Sequence, residues 1–321
     1  MVIMSGVLAG KVCIVTGASR GVGKGIALQL GEAGATVYIT GRTLNPGSAD
    51  YPGSLQETAK EIKQRGGQCI PVQCDHSDDT QIKKLFERVE QEQEGRLDIL
   101  VNNVYSAIPT LTSKVNKPFW ELPPEIWDEV NVVGLRSHYI SCVYGARLMI
   151  PHKKGLIINI SSIGAVRHLF NAAYGAGKAG VDKMILDCAE ELKIHNIACL
   201  SLWPGPVKTE VITDRLTQGK FDADRMLAQG FANGESTEYP GKCVVHLASD
   251  PNIMKKSGYI IFTCDLGGEY GFQDIDGREP PNYKCIKTIL QLTGHPWLAA
   301  FVPKFLKLPS WSLALAFHKF Y

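Results

Sequence analysis

A tyrosine and a lysine stand four residues apart in the stretch NAAYGAGKAG, residues 171–180. In a helix, this spacing places Tyr174 and Lys178 on one face, one turn apart. Hydride transfer to a carbonyl leaves an oxygen that needs a proton, and a phenol can give one if its pKa falls from about 10. A nearby ammonium lowers that pKa because it stabilises the phenolate. The pair therefore predicts a proton-donating tyrosine with an activating lysine.

Three glycines, at 175, 177 and 180, interrupt the same predicted helix. Each costs roughly 1 kcal/mol relative to alanine in a helix interior. A glycine lets other atoms approach the backbone because it carries no Cβ. We therefore expect a cofactor and a neighbouring helix to pack closely on this segment.

Strand-like and helix-like segments alternate through the first 270 residues. This order predicts an α/β fold with one doubly wound parallel sheet of about seven strands and helices on both faces. Predicted strands lie at 11–17, 36–41, 68–75, 97–103, 155–162, 197–205 and 259–265, and predicted helices at 21–33, 54–66, 78–94, 124–151 and from Tyr174 onward. Two prolines and two glycines make 43–53 a loop. The chain divides into a Rossmann-type domain, 1–270, and a carboxyl-terminal extension, 271–321.

Composition excludes several classes of protein. The chain has 321 residues and a net charge of +2 without basic runs, so nucleic acid is not an expected partner. Nine cysteines without a CxxC pair predict no metal site and no disulfide framework, which suits a reducing compartment. The amino terminus lacks the basic region of a signal peptide, and no run of 18 apolar residues predicts a spanning helix.

The stretch TGASRGVG, residues 16–23, joins the first predicted strand to the first predicted helix. Its glycines allow a tight turn and let a pyrophosphate reach the amide groups at the helix amino terminus. The loop therefore predicts dinucleotide binding. Its candidate cofactor residues are Gly17, Ser19, Arg20, Gly21, Val22 and Gly23.

The ends of the second, third and fourth strands indicate which dinucleotide binds. An acid at the end of the second strand would favour NAD, but Arg42 stands there, with Arg20 in the glycine loop. Two guanidinium groups favour the 2′-phosphate of NADP(H), although both could be solvated surface arginines. Asp75 and Asn102 end the next two strands and are candidate cofactor contacts, Asp75 for the adenine unless it only makes a turn.

Six motifs occur in the order found in the short-chain dehydrogenase/reductase family, which residues 9–270 resemble. They are TGxxxGxG at 16–23, NN at 102–103, Asn131 in NVVG, the serines at 161–162, YxxxK at 174–178 and PG at 204–205. The resemblance implies that Tyr174 is the acid/base and that Lys178 lowers its pKa and binds the nicotinamide ribose. It also implies that Asn131 anchors a proton-relay water through a kinked helix. A locally satisfied amide is the alternative for Asn131.

The resemblance implies one catalytic serine, and two residues compete for the role. Counting along GLIINISS favours Ser162, whereas the usual separation of 13 residues from the tyrosine favours Ser161. The two side chains cannot face the same way in a strand. We favour Ser162 because a strand register is harder to shift than a loop is to shorten by one residue.

Two further segments bear on the cofactor site. The family's NNAG is NNVY here, so Val104 and Tyr105 add bulk beside the cofactor. The segment after the PG motif keeps the family's threonine, Thr209, which is expected to hold the carboxamide of nicotinamide. The remaining candidate cofactor residues of this segment are Pro204, Gly205 and Val207.

Residues 210–237 occupy the position of the family's substrate-covering segment. Their apolar residues predict either a lid for steroid-like or other hydrophobic carbonyls or a helix packed on the core. These residues are Val211, Ile212, Leu216, Phe221, Met226, Leu227 and Phe231.

The tail, residues 295–321, is rich in Trp, Phe and Leu with interspersed lysines. This composition suits peripheral contact with a membrane interface, or packing on the domain or on a second subunit. Segments such as GASRGVGKGIALQL and VYGARLM resemble one subgroup of the family with an extended carboxyl terminus and an association with the endoplasmic reticulum. That resemblance implies an endoplasmic-reticulum protein facing the cytosol, with a cytoplasmic protein as the alternative.

The motifs together predict an NADP(H)-dependent carbonyl reductase acting on a small hydrophobic carbonyl, such as a steroid or a xenobiotic. The family resemblance implies a homo-oligomer. A low-activity NADP-binding scaffold or sensor is the alternative function.

Overall fold

The computed structural model describes residues 6–47, 51–113, 117–218, 225–292, 294–309 and 312. Its centre is a seven-stranded parallel sheet in the order β3-β2-β1-β4-β5-β6-β7, which confirms the predicted doubly wound fold. The strands are β1 (Val12–Val15), β2 (Thr36–Gly41), β3 (Gln68–Gln73), β4 (Ile99–Asn102), β5 (Gly155–Ile160), β6 (Ile197–Trp203) and β7 (Ile260–Phe262). The strand order reverses between β1 and β4, where such sheets open a ligand crevice at their carboxyl edge.

The helices cover both faces of this sheet. They are α1 (Gly21–Glu32), α2 (Leu55–Gln64), α3 (Asp79–Glu92), α4 (Ile108–Ser113), α5 (Ile126–Asn131), α6 (Ser137–Met149), α7 (Ala172–Leu192), α8 (Glu210–Thr217), α9 (Arg225–Ala232), α10 (Tyr239–Ser249), α11 (Thr263–Tyr270), α12 (Ile286–Leu292) and α13 (Pro296–Ala300). Alternate residues of β1 enter opposite cores, with Cys13 and Val15 in one layer and Val12 and Ile14 in the other. Burial on both faces explains why the central strands are almost continuously apolar.

Two predicted elements differ from the structure. The helix predicted over 124–151 is α5, a five-residue π-helix at Val132–Arg136, α6 and a short 3₁₀ turn. The strand predicted to reach residue 265 ends at Phe262, because Thr263 begins α11. An acid in the first turn of that helix, Asp265, suits the positive end of a helix dipole and not a strand end.

The segment after α11 is attached to that helix by polar contacts. Asn282 donates to the Asp265 carboxylate at 3.0 Å, and the Lys284 ammonium pairs with the same carboxylate. Cys285 forms an antiparallel bridge with Lys307. Of the tail predicted over 295–321, residues 310–311 and 313–321 lie outside the described residues. Within the described part of the chain, no helix has both the length and the apolarity to cross a membrane.

Candidate active site

The helix that carries the Tyr–Lys pair is capped at its amino terminus by Asn171. The Asn171 side chain accepts a hydrogen bond from the Tyr174 amide at 2.9 Å, so Ala172 becomes the first residue of α7. Tyr174 and Lys178 then lie one turn apart, and the two residues are only 7% and 8% exposed. The predicted juxtaposition of a phenol and an ammonium on one helix face is therefore present.

The glycines of α7 make room for neighbouring elements, as expected. A Cβ on Gly177 would lie 2.1 Å from the Asn131 Oδ1 atom, and one on Gly180 would lie 3.0 Å from Leu135. A Cβ on Gly175 would lie 3.3 Å from the Gly164 carbonyl oxygen. Two of the three glycines thus allow α5 and the π-helix to pack against α7.

The two candidate serines face different groups. Ser162 begins the 3₁₀ turn after β5 and accepts from the Gly164 amide at 3.1 Å. Its hydroxyl lies close enough to Tyr174 to act on the pKa of the phenol. Ser161 is buried and donates instead to the Lys178 carbonyl at 3.3 Å. The structure therefore brings Ser162, and not Ser161, to the phenol.

Burial controls the proton affinities of the pair. Desolvation raises the pKa of Tyr174 to about 12, although the nearby Ser162 hydroxyl opposes that shift. Burial lowers the pKa of Lys178 to about 8, while the Asp182 carboxylate acts in the opposite direction. The expected lowering of the tyrosine pKa is thus not what the structure gives. The Lys178 ammonium donates instead to the Ile160 carbonyl at 3.0 Å, and the removal of water from the phenol dominates the shift.

Asn131 is the last residue of α5, and a π-helix begins at the next residue, so the helix is irregular where the kink is predicted. Single-turn π-helices are frequent at functional sites. The Asn131 Nδ2 group lies 3.5 Å from the Ala173 carbonyl, at the limit of a hydrogen bond. Its buried Oδ1 has no hydrogen-bond partner among the described residues. The alternative interpretation required an Asn131 amide whose hydrogen bonds are all made locally, and this amide does not meet that requirement.

The glycine loop forms a cradle that fits a dinucleotide. Gly17 and Gly21 have positive φ values of 69° and 60°, a conformation that favours glycine. A Cβ on Gly23 would lie 2.3 Å from the Gly17 carbonyl oxygen, and one on Gly17 would lie 2.6 Å from the Val104 Cα. A Cβ is therefore excluded at Gly17 and Gly23, and the glycine backbone of the loop that opens α1 suits the close approach of a phosphate.

Two arginines and one glutamate lie at this loop. The Arg20 guanidinium donates to the Gly53 carbonyl at 2.9 Å, and its buried Nε has no partner among the described residues. Arg42 is exposed, and partial burial together with the Arg42 charge lowers the pKa of Arg20. The Gly21 amide donates to the Glu210 carboxylate at 2.9 Å. A carboxylate from α8 thus contacts one of the amides expected to meet the pyrophosphate, a contact that the sequence analysis missed.

The strand-end residues do not all face the crevice. Asp75 accepts from the amide and the hydroxyl of Ser77, so it makes the turn that the alternative interpretation described. Asn102 is fully buried and donates to the Asn159 side chain of β5 at 2.9 Å, while its contact with the cofactor stays a prediction. Asn103 reaches the glycine loop instead, donating to the Thr16 carbonyl at 2.9 Å.

The segment after β6 places its predicted residues beside the glycine loop. The Thr209 hydroxyl caps α8 by accepting from the Ile212 amide, and its methyl group would lie 3.4 Å from a Cβ on Gly21. Val207 is buried and pairs with Glu235. The other predicted cofactor residues of the two segments are half-buried, namely Ser19, Val22, Pro204 and Gly205.

The predicted lid contains buried apolar side chains. Val211 and Ile212 are buried, whereas Leu216 and Phe231 are half-buried. Phe221 lies outside the described residues, as do the side chains of Met226 and Leu227. The described part of α8 therefore buries two of the predicted apolar side chains, which both interpretations of the segment require.

Asp182 is a further buried group that the sequence analysis missed. Its carboxylate accepts from the Trp203 indole at 3.1 and 3.2 Å, and burial raises its pKa. The signal was present, because residues 174, 178 and 182 follow one another at intervals of four on one helix face. Among the described residues, no group of His, Cys, Asp and Glu could hold a metal ion.

The sequence pattern of the short chain dehydrogenase family matches residues 11–219. Together with the fold and the Ser–Tyr–Lys site, this match places the chain in the short-chain dehydrogenase/reductase family, an oxidoreductase family whose members bind a nicotinamide cofactor. The family predicted from the motifs is thereby confirmed.

Individual relatives make the placement narrower. Dehydrogenase/reductase SDR family member 1 of Homo sapiens is 48% identical over 321 residues, covering 99% of this chain and 100% of the human protein, which confirms the predicted subgroup. The 3-oxoacyl-(acyl-carrier-protein) reductase of Thermotoga maritima is 31% identical and covers 74% of this chain and 96% of its own. A metagenomic short-chain oxidoreductase solved in complex with NADP has a TM-score of 0.61 at 28% identity, covering 80% of this chain and 97% of that one.

Proposed function

We propose that the protein is an NADPH-dependent carbonyl reductase that converts the ketone or aldehyde group of a small hydrophobic molecule to an alcohol. The observation that carries the proposal is the placement of Tyr174 and Lys178 one turn apart on α7, with the Ser162 hydroxyl close to the phenol. This set can bind a carbonyl oxygen, give it a proton and stabilise the phenolate that remains.

Each residue has a distinct role in this mechanism. Ser162 holds the substrate oxygen, and Tyr174 transfers its phenolic proton to that oxygen as negative charge develops there. Lys178 stabilises the phenolate and holds the nicotinamide ribose. Asn131, with its unpartnered Oδ1, anchors the water through which the phenol regains a proton. When bound, NADPH supplies the hydride.

The cofactor site supports NADP(H) over NAD(H). The glycine loop and Thr209 would hold the pyrophosphate and the nicotinamide, and Arg20 and Arg42 would hold the 2′-phosphate. No acid follows β2, where NAD-binding sheets carry one. The related metagenomic oxidoreductase binds NADP, and the T. maritima relative is a reductase of a 3-oxo compound. These likenesses favour both the cofactor and the direction of the reaction.

The remaining features of the proposal concern the surroundings of the site. Residues 210–237 cover the substrate, and their apolar residues favour hydrophobic carbonyls such as steroids and xenobiotics. Residues 1–270 form the cofactor-binding domain of a homo-oligomer. The extension, 271–321, contacts the cytosolic face of the endoplasmic-reticulum membrane through its exposed aromatic residues.

The proposal is tested by NADPH oxidation with a panel of steroid ketones, quinones, aldehydes and small diketones. Purified protein should turn over at least one compound, and Tyr174→Phe should abolish turnover while it keeps its affinity for NADPH. Tyr139→Phe, an exposed tyrosine on α6, is the matched control and should leave the rate unchanged. NADPH binding with no turnover of any compound would instead favour the scaffold or sensor function.

A further inference from the structure

Tyr105 lies against both members of the Tyr–Lys pair. It follows β4 in NNVY, at a position where the family pattern has a glycine. The Lys178 Nζ lies 5.1 Å from the centroid of the Tyr105 ring, within range of a cation–π contact. The Tyr174 ring meets the Tyr105 ring edge to face, with centroids 6.0 Å apart and an interplanar angle of 84°.

The surrounding backbone makes room for this ring. A Cβ on Gly134, inside the π-helix, would lie 2.7 Å from the Tyr105 Cε2 atom and 2.8 Å from Cδ2. A larger residue at 134 would therefore displace the aromatic ring. The bulk that departs from the family pattern at 105 is thus matched by a glycine in the facing helix.

The ring makes these contacts, and the hydroxyl does not. The Tyr105 hydroxyl is buried and has no hydrogen-bond partner among the described residues. Burial of a hydroxyl without a partner opposes folding. Packing and the face of the ring are therefore the interactions through which Tyr105 acts on the site.

Few titratable groups other than Tyr105 interact with the Lys178 ammonium. Asp182 on the same helix favours the charged lysine, whereas the buried His138 of α6 lies near enough for electrostatic interaction. Glu129 of α5 and Tyr174 are the titratable groups that face Tyr105. The Ile160 carbonyl of β5 accepts from Lys178, and within the described part of the chain no further charged group acts on this ammonium.

We propose that Tyr105 is a positioning residue for the Tyr174–Lys178 pair, and that the face of its ring keeps the Lys178 ammonium charged beside the phenol. The inference rests on the proposed function, because it assigns Lys178 the ribose and the phenolate as partners. The electron-rich face of an aromatic ring attracts a cation, and this attraction strengthens where water is excluded.

The sign of the effect follows from the protonation of Lys178. The contact favours the charged lysine, so its loss lowers the pKa of Lys178 from about 8. NADPH affinity and reduction rate both need the ammonium, and both fall as pH rises through that pKa. A weaker ring–cation contact should therefore move the alkaline decline of both to lower pH, by about one unit.

The test varies the electrons of the ring and keeps its shape. Position 105 is changed to phenylalanine and then, by amber suppression, to 4-fluoro- and 3,4,5-trifluorophenylalanine, which weaken the ring's attraction for a cation in steps at nearly constant volume. The dissociation constant of NADPH is measured by tryptophan fluorescence from pH 6 to 10, together with kcat where a substrate is known. Tyr105→Leu, which removes the ring, completes the series.

In Tyr105→Phe, the pH at which NADPH affinity declines should equal that of the wild type. In the fluorinated variants this pH should be lower, and it should be lowest, by about one unit, for the trifluorinated ring. An inflection that stays fixed across the fluorinated series would overturn the proposal, as would loss of the inflection in Tyr105→Phe. The binding readout needs no turnover. A graded shift in NADPH affinity in a protein that reduces no carbonyl would thus uphold the role of Tyr105 and reject the proposed reaction.

Discussion

Burial at individual residues sets the chemistry available at this site. Tyr174, Lys178 and Asp182 are all buried on one face of α7. Burial favours the neutral form of each, so it raises the pKa of the phenol and of the carboxyl group and lowers the pKa of the lysine. The Ser162 hydroxyl near the phenol, and the hydrogen bond from the Trp203 indole to the Asp182 carboxylate, oppose the shifts of Tyr174 and Asp182. With its pKa raised, Tyr174 carries its proton at neutral pH, but it is a weaker acid than a phenol whose pKa lies nearer the working pH.

Arg42 should decide between the two nicotinamide cofactors. Arg42→Asp replaces an exposed guanidinium by the acid that favours NAD. Loss of one charge-assisted hydrogen bond costs about 1.5–3 kcal/mol, so the Michaelis constant for NADPH should rise tenfold or more. That for NADH should change little, because NADH carries no 2′-phosphate. Equal effects on the two cofactors would remove Arg42 from the 2′-phosphate site.

Two buried histidines should make folding sensitive to acid. Burial lowers the pKa of His76 to about 4 and that of His138 to about 3, below the unfolded value of about 6.5. Below pH 6.5 the unfolded chain binds more protons than the native one, so stability falls as pH falls. From pH 7.5 to 5.0 the loss is about 2 kcal/mol per histidine, measured by urea unfolding.

The double variant His76→Gln/His138→Gln should lose less stability over the same pH interval. The exposed His152→Gln is the control and should follow the wild type. If the double variant loses as much as the wild type, groups other than these two histidines cause the sensitivity to acid.

At the scale of elements, α5 and the π-helix that follows it pack against α7, the helix that carries Tyr174 and Lys178. The Asn131 side chain packs against Gly177, and the Leu135 side chain of the π-helix packs against Gly180. The conformational cost of glycine in α7 is offset by this close packing. The π-helix in turn carries Gly134, against which the Tyr105 ring lies.

A pair of glycine-to-alanine variants separates packing from helix propensity. Gly177→Ala should destabilise the protein by about 1–3 kcal/mol, because its Cβ would overlap the Asn131 Oδ1 atom. Gly268→Ala, on the exposed side of α11, has only the Lys307 Nζ at 3.9 Å and should be neutral or stabilising by up to about 1 kcal/mol. Urea unfolding measures both. Equal effects of the two variants would contradict the close contact at Gly177.

At the scale of the whole molecule, the extension presents a set of exposed aromatic side chains. Trp297, Phe301 and Phe305 are 64%, 83% and 77% exposed, and Lys304 lies among them. Aromatic and lysine side chains together suit the boundary between lipid headgroups and acyl chains. These residues are the part of the tail on which the proposed membrane contact rests.

The triple variant Trp297→Gln/Phe301→Gln/Phe305→Gln should bind vesicles containing anionic lipid more weakly, on the order of tenfold or more. Phe119→Gln/Trp120→Gln removes two exposed aromatic residues elsewhere and is the control. Vesicle flotation measures both. Retention of the triple variant on the vesicles would place any membrane contact on another surface.

The sequence by itself determined the fold and the residues of the proposed catalytic centre. Apolar runs separated by amphipathic segments specify a parallel sheet, because strands covered on both faces must be apolar throughout. The motifs around 16–23 and 174–178 identified the loop and the Tyr–Lys pair because both are local patterns, set by a turn and by one helical repeat.

The tertiary structure decided what depends on contacts between distant segments. It turned Asn102 into the core and Asn103 towards the glycine loop, since neighbouring residues of a strand face opposite ways and the sheet chooses which is buried. It brought Ser162 to Tyr174, set Glu210 against the Gly21 amide and laid Tyr105 across Lys178. These contacts and the burial that shifts each pKa exist only when the elements pack, so sequence spacing carries no direct record of them.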